Sequence, residues 1–226
     1  MADFNWSEIS TVLLDMDGTI LDLHYDNYFW LEYLPLCYSQ KMLISVVEAK
    51  KKLHANYLAV AGSLQWYCLD YWAEQTHLPI IELKKEVKHL IQWRDDAITF
   101  LKALKSAGKT VILVTNAHPE ALALKINATQ LDQYFDMLYS THEFGATKES
   151  QILWQRLQNK QKFDCNRSLF IDDNLEILKS AQDYGIKNLL AIANPDSKKP
   201  SRNITDFPSI ISYKKLIVEL INSESN

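Results

Sequence analysis

Two carboxylates stand two residues apart at the mouth of a strongly apolar run: Thr11-Val12-Leu13-Leu14 leads into Asp15 and Asp17, with Gly18 and Thr19 behind them. Crowding two acids is unfavourable unless a cation or a reaction uses both. Three further pieces can do chemistry: Thr115-Asn116 behind a second apolar run, Lys148, and Asp172-Asp173 behind a third. Carboxylates from two strands are hard oxygen donors, and with neither sulfur nor a histidine cluster beside them the expected ion is Mg²⁺. Lys148, the Thr115 hydroxyl and nearby amides add charge and donors, which suit a phosphoryl group held while an oxygen attacks in line. A carboxylate can itself be the nucleophile, forming an aspartyl-phosphate that water later cleaves. In such a scheme the acid two residues on protonates the leaving alkoxide and then activates water. Gly18 permits the sharp turn that brings both acids to one ligand.

These groups need a scaffold that delivers them to one edge. Residues 11–14, 110–116, 137–140, 168–173 and 188–193 read as strands, because apolar and β-branched residues run without polar alternation. Between them, 97–108, 119–130, 148–158 and 174–185 carry helical spacing, with Pro119 at a first turn, Asn174 as an N-cap and Gly108 and Gly185 as C-terminal caps. Alternating strand and helix predicts an α/β, Rossmann-like parallel sheet with helices on both faces. The polar clusters then fall at the C-terminal strand ends, where open α/β sheets place ligands.

Residues 22–94 differ: their apolar stripes are helix-spaced, with no convincing strand, and Trp30, Trp66, Trp72 and Trp93 lie among them. They predict an all-helical insertion capping that edge, so the domains divide into a core of 1–21 and 95–226 and a cap of 22–94. The stretch 195–201 is expected to be a turn-rich loop and 222–226 frayed.

The chain has 226 residues, 47% of them hydrophobic, which suits a sizeable core. A net charge of -4 argues against a nucleic-acid or membrane-surface binder. Cys37, Cys68 and Cys165 are scattered and odd in number, which fits a reducing compartment. With no N-terminal apolar segment and no run of transmembrane length, a cytoplasmic protein is expected; oligomeric state is not readable.

Taken singly, several residues admit plainer roles. Asp172 reads equally as a helix-capping acid, Thr115 as a strand-end turn residue and Lys148 as a solvated lysine opening a helix, against the helix dipole. Asn116 and His118 either line the pocket or shape their loop, and His24 faces the site or a cap hinge. Tyr28, Phe29, Trp30, Trp66, Tyr67, Tyr71 and Trp72 suit stacking on a purine, but aromatic stripes at helical spacing are mostly core. Arg94, Asp95 and Asp96 read as hinge residues or as an acidic helix start. A calcium-loop reading of "DMDGT" fails, because no acid follows at the needed spacing.

"DMDGT", "VTN", the lone Lys148 and "FIDD" resemble, in order, the four signature motifs of the haloacid dehalogenase-like hydrolases. An acid at both positions of the first motif points to that superfamily's phosphatase branch, and a helical insertion after it resembles the cap of its first subclass. The resemblance implies Asp15 as nucleophile, Asp17 as general acid/base, and Thr115 and Lys148 on the phosphoryl group. It implies Mg²⁺ held by Asp15, the Asp17 carbonyl and Asp173, with Asp172 ligating or supporting. "DNYFW", "WYCLDYW", "TNAHP", "STHEFGATKE" and "NPDS" are similar to the bacterial GMP/IMP 5′-nucleotidase branch. That likeness implies a substrate that is a small phosphate ester, a purine nucleoside 5′-monophosphate. Two rivals stand beside it: the same chemistry on another ester such as a sugar phosphate, and a non-catalytic binding module using the aromatic cap.

Overall fold

Apolar runs long enough for a strand and too short for a helix pair side by side here, because each buries both faces. The computed structural model describes residues 4–223. Its strands are β1 (Thr11–Leu14), β2 (Thr110–Thr115), β3 (Met137–Ser140), β4 (Ser168–Asp172), β5 (Asn188–Ile192) and β6 (Ser209–Ile210). They form one sheet in the order β3-β2-β1-β4-β5-β6, with every neighbouring pair parallel. Alternate residues serve opposite faces. Val12 and Leu14 pack with Phe100, Leu104 and Tyr213, whereas Leu13 packs with Trp154, Phe170 and Leu178. Both faces are therefore covered, as an all-parallel sheet requires.

Two regions depart most from the sequence expectation. The helix expected over 148–158 is Gln151–Gln161, because the Ser150 hydroxyl accepts from the Ile152 amide and caps it there. Lys148 thus lies in the turn before the helix, and the supposed conflict with its dipole does not arise. A helix runs from Lys214 to Ser223, with Leu216 and Leu220 one turn apart in the core, so that 222 and 223 of the stretch expected to fray close a helix; 224–226 lie outside the described residues. Strand β6 had no counterpart in the sequence expectation either, being only two residues long.

Between β1 and the helix Ala97–Ser106 the chain is helical. It runs unbroken from His24 to Met42, with a π-helical stretch at Phe29–Tyr33, and continues through Val46–Val60, Leu64–Tyr67, Leu69–Thr76 and Ile80–Glu86. Its own apolar cluster centres on Tyr25, Phe29, Leu53, Tyr57 and Trp72, and joins Ala121 and Leu124 of the helix Pro119–Thr129. The entering and leaving strands pair at a neck, Asp22 N–H on the Gln92 carbonyl at 2.9 Å and Arg94 N–H on the Ile20 carbonyl at 3.0 Å. The Arg94 guanidinium fastens that neck to the core through the Asn194 and Ile211 carbonyls. Asp96 takes φ +65° and makes no side-chain cap, so of the two readings of 94–96 the acidic helix start is not how this helix begins.

Candidate active site

Parallel register brings the motif residues level. Leu14 pairs with Leu113 on one side and Ile171 on the other, so Asp15, Thr115 and Asp172 all emerge at one sheet edge. The Asp15 amide donates to the Ile171 carbonyl at 3.0 Å and extends the ladder one residue past β1. Gly18 then turns with φ +82°. A Cβ there would lie 2.8 Å from Asp173 Cγ and 2.9 Å from Pro195 Cβ, so no other residue fits without displacing the acid.

Lys148 sits at the centre, 2.5 Å from Asp15 Oδ1 and 2.7 Å from Asp172 Oδ2, with 1% of its surface exposed. Asn116 holds it there: Asn116 Oδ1 accepts from the Lys148 amide and from the Thr141 hydroxyl, both at 3.0 Å, while its Nδ2 donates to Glu149. That amide is thus committed to shaping the Lys148 turn. The Thr115 hydroxyl oxygen accepts from the Ala117 amide, which leaves its proton free for a ligand. Asp172 Oδ2 pairs with Lys148 and its Oδ1 accepts from the Asn174 amide, while the helix that follows is capped by Asn174.

Carboxylate oxygens of Asp15, Asp172 and Asp173 lie within 4.8 Å of one another. Burial pushes the Asp15 carboxyl up to about 6, with Lys148 opposing and Asp172 adding to the rise. Asp173 is raised well above its ordinary range by burial and then by Asp172 and Asp15. Burial alone would lower Lys148, but Asp15 and Asp172 drive it above its usual value, so it stays charged. Three acids face one buried lysine, an excess of carboxylate; Arg202 donates to the Asp173 carbonyl from an exposed position, and its charge opposes the rise of that carboxyl. An all-oxygen donor set carrying that excess fits one hard divalent cation such as Mg²⁺.

The Asp17 carboxylate stands apart from this trio. It is drawn to Lys125 at 2.6 Å, and Lys125 also holds Asp26 at 2.6 Å, which Lys84 meets from the other side at 3.0 Å. This second group pairs two acids with two lysines. Burial lifts the Asp17 carboxyl to about 7 against the pull of Lys125, with Asp26 and Asp15 adding to the rise. For Asp26, burial is outweighed by Lys125 and Lys84, which hold it well below the carboxylate range.

Both groups open on one cavity of about 290 Å³, whose far wall is aromatic: Trp30, Tyr57, Trp66, Tyr67 and Trp72. Tyr57 was not singled out from the sequence, and Tyr28, Phe29 and Tyr71 do not line the cavity. His118 lines it and also caps its helix, accepting from the Glu120 amide. His24 lies away from it, beside Asp196 at 3.7 Å.

Residues 9–185 match the haloacid dehalogenase-like hydrolase family. The chain belongs to that family. It is 44% identical over 216 residues to the GMP/IMP nucleotidase YrfG of Escherichia coli (strain K12) and, equally, of Shigella flexneri, covering 96% of this chain and 97% of each relative. The crystal structure of a HAD phosphatase from Thermococcus onnurineus superposes with TM-score 0.76 at 24% identity, covering 92% of this chain and 96% of that one. The L-2-haloacid dehalogenase of Xanthobacter autotrophicus follows the same fold at TM-score 0.56 and 15% identity, over 95% and 98% of the two chains. A phosphatase and a dehalogenase on one fold show that the fold of this hydrolase does not choose its reaction.

Lys125, Lys84 and Asp26 escaped the sequence expectation for this hydrolase, although two of them left a signal. Ala121, Leu124 and Lys125 share a helical stripe, and so do Ile80, Leu83, Lys84 and Val87. A lysine on the apolar side of a stripe is either misplaced or paired, and here both lysines are paired.

Proposed function

We propose that this hydrolase is a Mg²⁺-dependent phosphomonoesterase acting through an aspartyl-phosphate on Asp15, with purine nucleoside 5′-monophosphates such as GMP and IMP as its substrates. The observation that carries the chemistry is the Asp15–Lys148–Asp172–Asp173 cluster, three acids around one buried lysine, at the ends of β1 and β4. The substrate class is supported by the full-length likeness to a GMP/IMP nucleotidase and by the aromatic cavity wall. We assign residues 22–94 as a cap over a core formed by 1–21 and 95–226.

Lys148 engages Asp15 Oδ1, which leaves Oδ2 as the oxygen to attack phosphorus. At neutral pH a carboxyl group near 6 is mostly ionised and ready to attack. The Thr115 hydroxyl and the Lys148 ammonium hold phosphoryl oxygens as the ester P–O bond breaks. Asp17, near 7, is poised to give a proton to the departing oxygen and then to take one from the water that cleaves the acyl phosphate. Asp15, Asp173 and the Asp17 carbonyl, with Asp172 ligating or supporting, would hold Mg²⁺, which would supply positive charge against the negative charge of the phosphoryl oxygens.

Phosphate release from GMP, IMP, AMP, UMP and glucose 6-phosphate, with and without Mg²⁺, tests this reading. Mg²⁺-dependent release led by GMP and IMP supports it. Release led by the sugar phosphate keeps the chemistry and discards the substrate class, and release from none of them discards both.

A further inference from the structure

The buried row Asp17–Lys125–Asp26–Lys84 does not belong to the phosphoryl site, yet it ends on the residue assigned to proton transfer. Lys84 and Lys125 are each 1% exposed. Stability alone does not explain them, because apolar side chains of similar volume usually serve a core as well as a buried ion row or better. An apolar residue cannot fix a carboxylate, whereas Lys125 holds Asp17 Oδ1 at 2.6 Å in a loop that Gly18 has just turned. Asp26 holds the same ammonium at 2.6 Å from the helical side, and Lys84 in turn steadies Asp26. The Lys84 ammonium lies over the Phe29 and Tyr25 rings at 4.4 and 4.8 Å, so the row is anchored in the aromatic cluster.

We propose that Lys125 is a positioning residue that fixes the Asp17 carboxyl at the leaving-group side of the phosphoryl site, with Asp26 of the helical segment holding Lys125 in place. This rests on the phosphomonoesterase reading above. In the first half-reaction an Asp15 oxygen bonds to phosphorus, the ester P–O bond breaks, and the proton on Asp17 passes to the departing oxygen. Lys125 keeps its own protons throughout. With Oδ1 held, Oδ2 is the atom that carries the proton. The seating of the helical segment therefore bears on proton transfer in the core, through one ammonium group.

Leaving-group dependence tests this. The ratio kcat/KM covers the steps through phosphoryl transfer to Asp15, and it isolates the acid role from the later water step. Wild type, Lys125→Met, Lys125→Arg and Asp26→Asn are compared on p-nitrophenyl phosphate, whose leaving group needs no proton, and on the alkyl phosphate ester that wild type turns over fastest. Lys125→Met is expected to lose about 100-fold on the alkyl ester, the lower end of a general-acid contribution, and only a few-fold on the nitrophenyl ester. Lys125→Arg should recover most of that gap, and Asp26→Asn should show a smaller loss of the same kind. The quotient of the two values does not depend on the folded fraction, so a poorly folding variant still reports. Equal loss on both esters, or no loss on either, overturns the positioning role. Absence of phosphate release by wild type from either ester would instead overturn the phosphomonoesterase reading beneath it.

Discussion

The sheet and the helical segment hold their functional groups by different means. Asp15, Thr115 and Asp172 are placed by backbone: three parallel strands in register bring them level, and every residue of β1 and β4 is buried. The helical segment reaches the cavity only through side chains. Asp26 meets Lys125, Tyr67 donates to Glu149 at 2.8 Å, and aromatic rings stand edge to face around Trp72. A hydrogen-bonded ladder tolerates almost no change in position, whereas side-chain packing can be rebuilt with residues of similar volume. On the function proposed above, the reaction would be tied to the part of the molecule that is hardest to vary, and selectivity to the part that is easiest. The charged groups divide the same way: three acids around one lysine on the sheet, and a row of alternating acids and lysines reaching into the helices.

The largest expected effects test that division directly. Asp15→Asn should lower kcat by at least about 10³, since an amide cannot attack phosphorus. It should leave the thermal midpoint close to wild type, because one of three crowded acids is discharged and Lys148 keeps Asp172. Steady-state kinetics beside a melting curve checks both, and activity within tenfold of wild type would remove Asp15 from the chemistry. Trp72→Ala is the counterpart in the helical segment. Its ring is 1% exposed and stands 4.9 Å from Tyr57 and 5.0 Å from Tyr71, so truncation should cost about 3–5 kcal/mol of stability in denaturant unfolding. Turnover of p-nitrophenyl phosphate by the folded fraction should hold. A collapse of that turnover would mean that the two regions are not separable.

The same contrast decides what the sequence could reveal. Strands β1 and β3 lie where apolar patterning puts them, and β2, β4 and β5 end one residue early, because buried parallel strands leave unbroken apolar runs. Three of the four motif pieces were legible because each sits directly at or behind such a run; Lys148, in the turn before its helix, has no strand ahead of it to mark it. The helical segment shows its helices in periodicity but not its contacts, since an aromatic stripe looks the same whether it faces core or cavity. Trp30, Trp66, Tyr67 and Trp72 line the cavity, while Phe29 and Tyr28, from the same stretch, do not. The Asp17–Lys125–Asp26–Lys84 row joins residues more than a hundred positions apart, and no local pattern states a pairing of that span. Ser150 shows the limit for boundaries: one hydroxyl moved a helix start by three residues and took Lys148 out of it.

A smaller effect sharpens the selectivity side. Trp66 is half-buried in the cavity wall, 5.5 Å from Tyr57 and 6.5 Å from Trp72. Stacking of a base on an aromatic ring is worth about 1–3 kcal/mol. Trp66→Ala should therefore raise KM for GMP about tenfold, while kcat/KM for p-nitrophenyl phosphate is unchanged. If both substrates lose equally, Trp66 supports the cavity without touching the base.

The smallest effect lies at the seam between the two regions. His142 follows β3, its ring stands 5.0 Å from that of His118, and Asp70 of the helical segment meets His118 at 3.7 Å. Burial, and then His118, pushes His142 down to about 4. Below about 6.5 the unfolded chain takes up a proton on this ring that the folded chain refuses. Stability is therefore complete above that value and falls as pH drops from about 6.5 toward 4. Because the ring is only half-buried, solvent screening cuts the contribution to roughly 1 kcal/mol. Urea unfolding of wild type and His142→Gln across that range measures it: the wild-type curve should fall more steeply on acidification, and the two should run parallel above pH 7. Parallel curves throughout would mean that the ring takes up its proton as readily in the folded chain as in the unfolded one. The seam beside His118 would then be wet, and the helical segment would rest on the core through the Lys125 row and the Tyr67–Glu149 contact without a dry join at this edge.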